Sequence, residues 1–352
     1  MRRRPLRVLH LVGSTESALL TDLSLHYASA CLAATADPSR YQPIIAEVAP
    51  DGRWRFPSDL DTPTRAAAPT TDLAGAVATL AGLELDVAVP QMFCLSGMTH
   101  HRALLDLLGI PYVGNTPAAM ALSTDKARAK AVVGAAGVLV PEGEVLVPGQ
   151  DPTLAPPVVV KPVAGDNSVG MALVRDDPDW AAALEGAWAV GPALVERYVP
   201  PGREVRAATI VRDGRVAALP LEEYAVDPDH RPVRDVASKL VHDDDGSVRL
   251  TAKDDDAAWI VAPDDPVTAA AQDAALRCHA ALGCRHYGLF DLRIDPEGRP
   301  WFLEAGLYCS FAPQSVIPTM ARAAGTTLEA LFADLLELAL AEGPGGPGPT
   351  PT

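Results

Sequence analysis

Short apolar runs alternate with longer amphipathic stretches along the first third of the chain. LRVLHLVG, YQPIIAEV, LDVAVPQMF and PYVGN have the length and the β-branched content of buried strands. Between them lie TDLSLHYASACLAA, LAGAVATLAGL and HHRALLDLLG, whose apolar spacing predicts helices. Strands and helices that alternate in this way predict a parallel α/β layer over residues 1–115.

The pattern changes at residue 116, where a long Ala-rich stretch begins. TPAAMALSTDKARAKAVVGAAG predicts one helix, with Ser123 or Thr124 near its cap and Gly137 at its end. PPVVVKPVA and MALV predict two strands joined by the glycine-bounded loop GDNSVG, and DPDWAAALEGAWA predicts a helix. These elements form a predicted second unit over residues 116–190.

A third unit is predicted over residues 191–342. It begins with the strand ALVERYV and a hairpin, EVRAATIVRDGRVAALPLEE, that turns at Arg-Asp-Gly-Arg. Residues 225–258 are polar and Asp-rich and predict a long loop, of the kind that often covers an enzyme site. VTAAAQDAALRCHAALGC and LEALFADLLELALAE predict helices, and the Gly- and Pro-rich residues 343–352 predict a disordered tail.

Composition narrows the class of protein. The chain has 352 residues, of which 48% are hydrophobic, enough for two or three packed units. A net charge of −16 speaks against a nucleic-acid partner, and no apolar run reaches the roughly 18 residues of a membrane helix. The basic and then apolar start imitates a signal peptide, but its length better fits a buried first strand. Five cysteines without a CxxC pair fit reduced thiols in the cytoplasm.

Lysine is rare in this chain, which strongly prefers arginine. Of 29 basic residues, lysine occurs only at positions 126, 130, 161, 239 and 253. Lys161 ends a buried apolar run, where an ammonium group without an anionic partner is costly. The GDNSVG loop that follows offers Asn167 and Ser168 as donors, and its glycines let the backbone approach a phosphate closely. A phosphate site is therefore favoured over the alternative of a flexible surface hairpin.

Two carboxylates lie on either side of the turn in FDLRIDPEGRPWFLEAG. If residues 296–299 form the loop, Asp295 faces Pro300. Counting outward then places Asp291 opposite Glu304 on the same face. Opposed carboxylates repel each other unless a cation lies between them, and Mg²⁺ is usually held by one or two carboxylates with phosphate oxygens. The alternative is a register in which both acids are solvated and do not meet.

Another pair of acids, Glu196 and Glu204, flanks the Pro-Pro-Gly turn in ALVERYVPPGRE. A strand that runs into a linker offers free backbone groups to an adenine edge. A carboxylate nearby can accept hydrogen bonds from ribose hydroxyls. Surface glutamates are the commoner explanation when the stretch is taken alone.

Several of these stretches together, in order and spacing, resemble the ATP-grasp ligases and, within them, the D-alanine–D-alanine ligase branch. The matching stretches span roughly residues 80–340: LLGIPYVGN, STDKARAK, VVVKPVAGDNSVGM, LVERYV followed by GRE, ASK in the long loop, GCRHYGLFDLRIDPEGRPWFLEAG and SVIPTMARAAG. The resemblance implies an α/β (α+β) protein with the ATP-grasp fold. Residues 1–115 would be its Rossmann-like pre-ATP-grasp domain, 116–190 its central subdomain with the phosphate loop, and 191–342 its C-terminal subdomain with lid and metal site.

The resemblance also implies roles for individual residues. Lys126 and Lys161 would hold the α- and β-phosphates of ATP, and Lys239 in the long loop would reach the γ-phosphate. Glu196 and the backbone near Val199 would contact adenine.

Further roles follow from the same resemblance. Glu204 would bind the ribose, and the loop that contains Asn167 and Ser168 would cover the phosphates. Asp291 and Glu304 would bind Mg²⁺, for which Mn²⁺ can substitute. On the substrate side, Ser315 matches a serine that binds the carboxylate of the second substrate. Glu16 lies near the position of a substrate-binding glutamate, although its spacing to SLHYASA is longer by a few residues.

The substrate segments depart from the family's pattern. Gly306 stands where the family has a third metal ligand, an Asn, and Leu289 replaces an arginine that steadies the acyl intermediate. Asn167 replaces a phosphate-loop serine, Leu240 replaces the lid tyrosine, and MFCLSGMTHHR replaces a His-Gly…Glu-Asp-Gly segment. The ATP half of the pattern is kept and the amino-acid half is rewritten, which argues against D-alanine–D-alanine ligase itself.

The prediction is an ATP-dependent, ADP-forming carboxylate–amine ligase that makes an amide bond through an acylphosphate, on amino acids of specialised metabolism. Two alternatives stay open: a degenerate ATP-grasp protein that binds nucleotide without ligation, and a ligase with a hydroxyl or thiol acceptor. The expected partners are small-molecule carboxylate and amine substrates, with no nucleic acid and no membrane. Ligases of this branch are commonly dimers, so the resemblance also implies a homodimer, and the expected location is the cytoplasm.

Overall fold

The computed structural model describes residues 4–165, 169–200, 202–226, 240–242, 248–250, 258–346 and 348. Four sheets, one of them with only two strands, and eleven α-helices make up most of these residues. Among the described residues, no helix has both the length and the apolar character needed to cross a membrane.

A five-stranded sheet lies within the first 115 residues. Its region contains β1 (Leu6–Gly13), α1 (Ala18–Ala34), β2 (Tyr41–Val48), β3 (Trp54–Arg55), α2 (Thr62–Ala67), β4 (Thr70–Thr71), α3 (Leu73–Gly82), β5 (Val87–Pro90), α4 (Leu95–Met98) and α5 (His100–Leu107). The strand order is β4-β3-β2-β1-β5. Strand β1 pairs in parallel with β2 and β5, which confirms the predicted parallel layer and the buried first strand.

The edges of this first sheet differ from the prediction. Strands β3 and β4 pair antiparallel and have only two residues each, too few to leave a period in the sequence. PYVGN was predicted as a strand, but it makes a single parallel bridge between Tyr112 and Ala88. That prediction was wrong because the chain turns away at Gly114, whose φ is +100°.

A four-stranded antiparallel sheet follows, in the order β6-β9-β7-β8. This part of the chain contains α6 (Pro117–Thr124), α7 (Lys126–Ala135), β6 (Gly143–Leu146), β7 (Val158–Pro162), β8 (Ala172–Val174), α8 (Trp180–Trp188) and β9 (Ala193–Arg197). Helix α8 covers one face and buries a small apolar core against β7 and β9. The other face of this sheet is left to line a pocket.

The single helix predicted for residues 116–137 is in fact two helices. Asp125 separates them and caps α7, because its side chain accepts a hydrogen bond from the Arg128 N–H at 2.9 Å. Ser123 and Thr124, predicted near the cap, instead end α6. The predicted end is confirmed, since Gly137 follows α7 with a φ of +81°.

The largest sheet has the order β15-β12-β10-β16-β17, with β11 paired to β10. The remaining elements are β10 (Arg203–Arg212), β11 (Arg215–Ala218), β12 (Glu222–Tyr224), β13 (Leu240–His242), β14 (Val248–Leu250), β15 (Ala258–Ile260), α9 (Thr268–Ala281), β16 (Tyr287–Ile294), β17 (Pro300–Ala305), α10 (Val316–Ala323) and α11 (Leu328–Glu342). The Arg-Asp-Gly-Arg turn is confirmed: Asp213 and Gly214 both have positive φ, as a two-residue hairpin turn requires.

The long loop predicted at 225–258 is interrupted by secondary structure. Within it, β13 and β14 form a separate two-stranded antiparallel sheet. The prediction of a long loop was therefore wrong over residues 240–242 and 248–250 and at residue 258, where β15 begins. Lys239, the predicted lid lysine, lies outside the described residues, as do Asn167 and Ser168 of the phosphate loop.

One apolar core joins the beginning and the end of the chain. Val8 and Val89 of the first sheet pack in the same cluster as Ile210 of β10 and Phe332 and Leu336 of α11. The five-stranded sheet and the largest sheet are therefore held against each other by buried side chains rather than by a linker alone.

Residues 343–346 and 348 of the predicted disordered tail are among the described residues, and the disorder stays a prediction.

Candidate functional site

A pocket lies between the four-stranded and the largest sheet. Seven residues predicted to bind nucleotide or metal line it: Lys126, Lys161, Glu196, Val199, Glu204, Asp291 and Glu304. They come from α7, β7, β9, β10, β16 and β17 and from the turn after β9, so only the tertiary fold brings them together. Their assigned roles stay predictions.

Three paired charges are buried at this pocket, of which Lys161 and Glu196 line it and Lys130 does not. The Glu196 carboxylate lies 2.8 Å from the Lys161 Nζ and 2.8 Å from the Lys130 Nζ. Strand pairing explains the first contact, because Val159 lies opposite Glu196 and Lys161 projects from the same face two residues later. Burial acts to raise the pKa of Glu196, but the two ammonium groups lower it overall. Glu196 therefore holds Lys161 at the pocket wall.

Lys130 supports the site through Glu196, although the sequence analysis gave it no role. Its Nζ also donates to the Phe302 carbonyl at 3.1 Å, so it links α7 to β17. Burial lowers the pKa of Lys130 to about 8. The available signal was its position, one helical turn after Lys126 in a chain with only five lysines.

Lys126 begins α7 and reaches across the pocket. Its Nζ donates to the Gly165 carbonyl, at the start of the phosphate loop. The same Nζ lies 3.9 Å from a carboxylate oxygen of Glu304. Lys126 thus stands between the predicted phosphate loop and a predicted metal ligand.

Asp291 lies opposite Glu304, as predicted. The predicted strand register was wrong, however, for the residue pairs that lie between this pair and the hairpin turn. Ile294, not Asp295, pairs with Pro300, and a bulge between the pairs Leu292–Phe302 and Asp291–Glu304 absorbs the difference. A regular ladder from this turn would put Leu303 opposite Asp291. The extra residue of the bulge keeps Glu304 on the pocket face.

Glu204, the predicted ribose ligand, is held by an arginine that the sequence analysis missed. Arg293 lies opposite it in the ladder and donates from Nη2 to its carboxylate at 2.8 Å. The Nη1 of Arg293 donates to the Val199 carbonyl at 3.3 Å, next to the predicted adenine contact. One guanidinium therefore positions two of the predicted nucleotide-binding groups.

Asp291 also has an arginine neighbour. The Nε of Arg206 donates to its carboxylate at 2.7 Å. Within the described part of the chain, no three His, Cys, Asp or Glu side chains converge on a metal position. Gly306 adds no ligand, although a Cβ at this position would meet open space. Two hard carboxylates that line a pocket together with Lys126 and Lys161 would fit a single Mg²⁺ completed by phosphate oxygens and water.

The two predicted substrate residues lie outside the lining of this pocket. Glu16 is exposed and accepts a hydrogen bond from the Ser96 N–H at 3.1 Å. Ser315 is the N-cap residue of α10, and its hydroxyl forms a hydrogen bond with that of Ser310. The structure thus brings the residues predicted to bind nucleotide and metal together in one pocket, whereas the residues predicted to bind substrate lie outside its lining.

Cys309, close to the site in sequence, is buried, and burial raises the pKa of its thiol to about 12. At neutral pH the thiolate, which is the nucleophilic form, is therefore not populated. Burial and a raised pKa therefore argue against Cys309 as a nucleophile.

The fold matches solved structures along almost the whole chain. VanG D-Ala:D-Ser ligase from Enterococcus faecalis superposes with a TM-score of 0.78 and 21% identity, covering 96% of this chain and 100% of that one. The D-alanine-D-alanine ligase from Coxiella burnetii gives a TM-score of 0.75 and 20% identity, covering 96% and 94%. These structures show the class of the fold, which is the ATP-grasp fold.

Sequence comparison places the chain within that class. The family model "D-ala D-ala ligase C-terminus" matches residues 150–337. A D-alanine–D-alanine ligase from Synechococcus sp. (strain JA-2-3B'a(2-13)) is 34% identical over 248 residues, which is 68% of this chain and 71% of that protein. The chain belongs to the D-alanine–D-alanine ligase family, and it is an ATP-dependent, ADP-forming carbon–nitrogen ligase.

Proposed function

We propose that this enzyme joins a carboxylate to an amine through an acylphosphate, with amino acids of specialised metabolism as its substrates. The observation that carries the proposal is the gathering of Lys126, Lys161, Asp291 and Glu304 around one pocket. Compact cations suit phosphate oxygens, and paired carboxylates suit a hard metal ion. The rewritten substrate segments support substrates other than those in the names of the relatives.

In the proposed reaction, a carboxylate oxygen attacks the γ-phosphorus of ATP. The bond from that phosphorus to the β-γ bridging oxygen breaks, and ADP leaves. The nitrogen of a neutral amine then attacks the acyl carbon, the bond from carbon to the phosphate oxygen breaks, and phosphate leaves. The amine proton is released to phosphate or water, so the product is an amide.

This chain's residues contribute mainly position and charge. Lys126 and Lys161 would bind the α- and β-phosphates, Lys161 being held in place by Glu196. Glu204 would bind the ribose. Asp291 and Glu304 would hold Mg²⁺, which supplies charge neutralisation at the phosphate oxygens when bound.

Further assignments complete the nucleotide site and begin the substrate site. Val199 and Glu196 would face the adenine, and the loop that contains Asn167 and Ser168 would cover the phosphates. Lys239 would reach the γ-phosphate. The substrate side would include two more residues: Glu16 and Ser315.

The proposal also divides the chain by function. Residues 1–115 would form the pre-ATP-grasp domain, 116–190 the central subdomain and 191–342 the C-terminal subdomain. The nucleotide would lie between the last two units, where the pocket lies. A homodimer completes the proposal and can be checked by sedimentation.

The test is a ligation assay with ATP, Mg²⁺ and pairs of amino acids from a panel of both stereochemistries. We expect phosphate release with at least one pair, and a product whose mass is that of the pair minus water. Lys161→Ala and Glu304→Ala should abolish both signals. Arg128→Ala is the matched control, because Arg128 lies on the same helix as Lys126 but its side chain is 78% exposed; it should keep full activity.

Three results would contradict the proposal. Full activity in both site variants would show that the pocket is assigned wrongly. ATP binding without phosphate release for any pair would favour a protein that binds nucleotide without ligation. A product that is an ester or thioester would instead replace the amine acceptor by a hydroxyl or thiol.

A further inference from the structure

A row of charged side chains crosses the largest sheet on the side that faces the pocket. Backbone pairing places Glu222 opposite Arg206, Arg206 opposite Asp291, and Asp291 opposite Glu304. Directly opposed residues of adjacent strands share a face of the sheet. Asp291 and Glu304 line the nucleotide pocket, and Arg206 and Glu222 continue the row beyond that lining.

Arg206 is held firmly within this row. Its Nε donates to the Asp291 carboxylate at 2.7 Å, and its guanidinium carbon lies 5.2 Å from the centre of the Tyr224 ring. The Tyr224 hydroxyl in turn donates to the Glu222 carboxylate, two residues earlier on β12. A carboxylate and an aromatic face therefore fix the orientation of a planar cation.

Part of this guanidinium remains available for a ligand. Among the hydrogen bonds formed by the described residues, Nε and Nη2 of Arg206 donate to Asp291, and Nη1 donates to none. The side chain keeps 20% of its surface exposed. Nη1 is not among the fully buried side-chain atoms that lack a partner. It can therefore donate to an anion from outside the chain.

The surroundings of Arg206 indicate where that anion comes from. Helix α1 of the first unit lies nearby: burial raises the pKa of Tyr27 to about 12, and the charge of Arg206 acts in the opposite direction. Arg206 is therefore close enough to α1 for its charge to act on the Tyr27 hydroxyl. The lysines that suit nucleotide phosphates line the pocket together with Asp291, whereas Arg206 lies outside that lining. An anion at Arg206 is for this reason a substrate group rather than a nucleotide phosphate.

We propose that Arg206 binds the carboxylate of an amino-acid substrate and holds it at the end of the nucleotide pocket. The planar guanidinium suits a carboxylate better than it suits a neutral group. This inference rests on the proposed function and adds to it the residue that selects acids over amines. The substrates are therefore expected to include one with a free carboxylate that an arginine can reach beside Asp291.

The test is calorimetric binding to the full chain loaded with MgADP. The probes are amino acids, each paired with the amine that lacks its carboxylate, such as alanine with ethylamine and phenylalanine with phenethylamine. We expect the wild-type protein to bind at least one amino acid at least tenfold more tightly than the matching amine. Arg206→Gln should weaken binding of that acid by about 10- to 100-fold, the usual effect of removing a charged hydrogen bond. Its affinity for the amine should not change.

Arg203→Gln is the matched control, because Arg203 lies on the same strand, is paired with Glu223 at 2.8 Å and projects from the opposite face. It should keep the preference for the acid. If Arg206→Gln does not fold, Arg206→Gln with Glu222→Gln restores the charge balance of the row and should show the same loss. MgADP affinity within twofold of the wild type shows that each variant keeps the nucleotide pocket.

Three outcomes overturn the inference. The first is a wild-type protein that binds acid and amine equally, and the second is one that binds no amino acid. The third is an Arg206→Gln protein that keeps its preference for the acid. If acid binding follows the expectation but no amide forms with any pair, the inference stands and the proposed ligation fails.

Discussion

At the scale of single residues, the buried charges of the pocket wall do most to shape the site. Glu196 lies between the ammonium groups of Lys130 and Lys161, and each of those lysines comes from a different element. The rarity of lysine pointed to Lys161, but pairing across elements depends on tertiary packing. Lys130, Arg293 and Arg206 were missed for that reason. Leu289, where the family's pattern has an arginine, shares its face of the sheet with Asp291, and Arg206 lies one strand away.

Replacing Lys130 tests whether this residue stabilises the fold through its specific contacts and not merely by adding a positive charge to α7. In Lys130→Met, the Phe302 carbonyl loses its donor and Glu196 keeps one ammonium partner. We expect the free energy of unfolding to fall by about 2 kcal/mol, the worth of a charged hydrogen bond, and ATP affinity to fall with it. Urea unfolding and calorimetry measure the two effects. Arg128→Met, exposed on the same helix, should change stability by less than about 0.5 kcal/mol; an equal loss in both variants would refute the role of Lys130.

Gly306 offers a second prediction at this scale. A Cβ placed there would meet no atom within 4 Å, so a side chain can be added without strain. Gly306→Asn should therefore supply another oxygen beside Glu304 and tighten Mn²⁺ binding by about tenfold, equivalent to about 1.4 kcal/mol. Electron paramagnetic resonance of free Mn²⁺ measures this directly. Gly298→Asn, in the hairpin turn, is the control and should leave Mn²⁺ affinity unchanged; unchanged affinity in Gly306→Asn too would remove Gly306 from the metal site.

At the scale of elements, the strongly amphipathic segments were predictable and the irregularities were not. LEALFADLLELALAE matches α11 residue for residue, because one apolar face runs along its whole length. The hairpin of β16 and β17 brings Asp291 and Glu304 together as predicted, but through a bulge that counting cannot foresee. The break at Asp125 was missed because the sequence pattern on either side of this residue is helical, and a single Asp is compatible both with one continuous helix and with a cap between two helices.

The cap at Asp125 gives a prediction for the element that carries Lys126 and Lys130. Asp125→Ala should lower the free energy of unfolding by about 1 kcal/mol and weaken ATP binding, because α7 begins at the next residue. Asp125→Asn should retain both, since Asn caps equally well. Thr327→Ala removes the cap of α11, away from the pocket, and should cost similar stability without changing ATP affinity. An ATP affinity that is unchanged in Asp125→Ala would contradict the link between this cap and the site.

At the scale of the whole molecule, buried histidines should make the native state sensitive to acid. Burial lowers the pKa of His10, His279 and His286 to about 4. In the unfolded chain these groups titrate near pH 6.5. Between pH 6.5 and about 4, the unfolded state therefore binds more protons than the native state, and the free energy of unfolding falls as the pH falls.

Each of these histidines should cost on the order of 2 kcal/mol of stability between pH 6.5 and pH 5. Urea-unfolding midpoints over that range measure the loss. His286→Gln should reduce the slope against pH, whereas His26→Gln, at an exposed position of α1, should not. A midpoint that stays constant from pH 7 to pH 5 would show that these histidines are not held neutral by the fold.

The central claim is that the carboxylate of one substrate attacks the γ-phosphorus of ATP before the amine attacks the acyl carbon. An accepted amino acid labelled with ¹⁸O in both carboxylate oxygens tests it most directly, through the mass of the phosphate released. The account predicts that one ¹⁸O atom passes into each phosphate for each amide formed, since that oxygen bonds to phosphorus and leaves with it. Phosphate without ¹⁸O, formed in step with amide, would contradict the acylphosphate route and with it the proposed function.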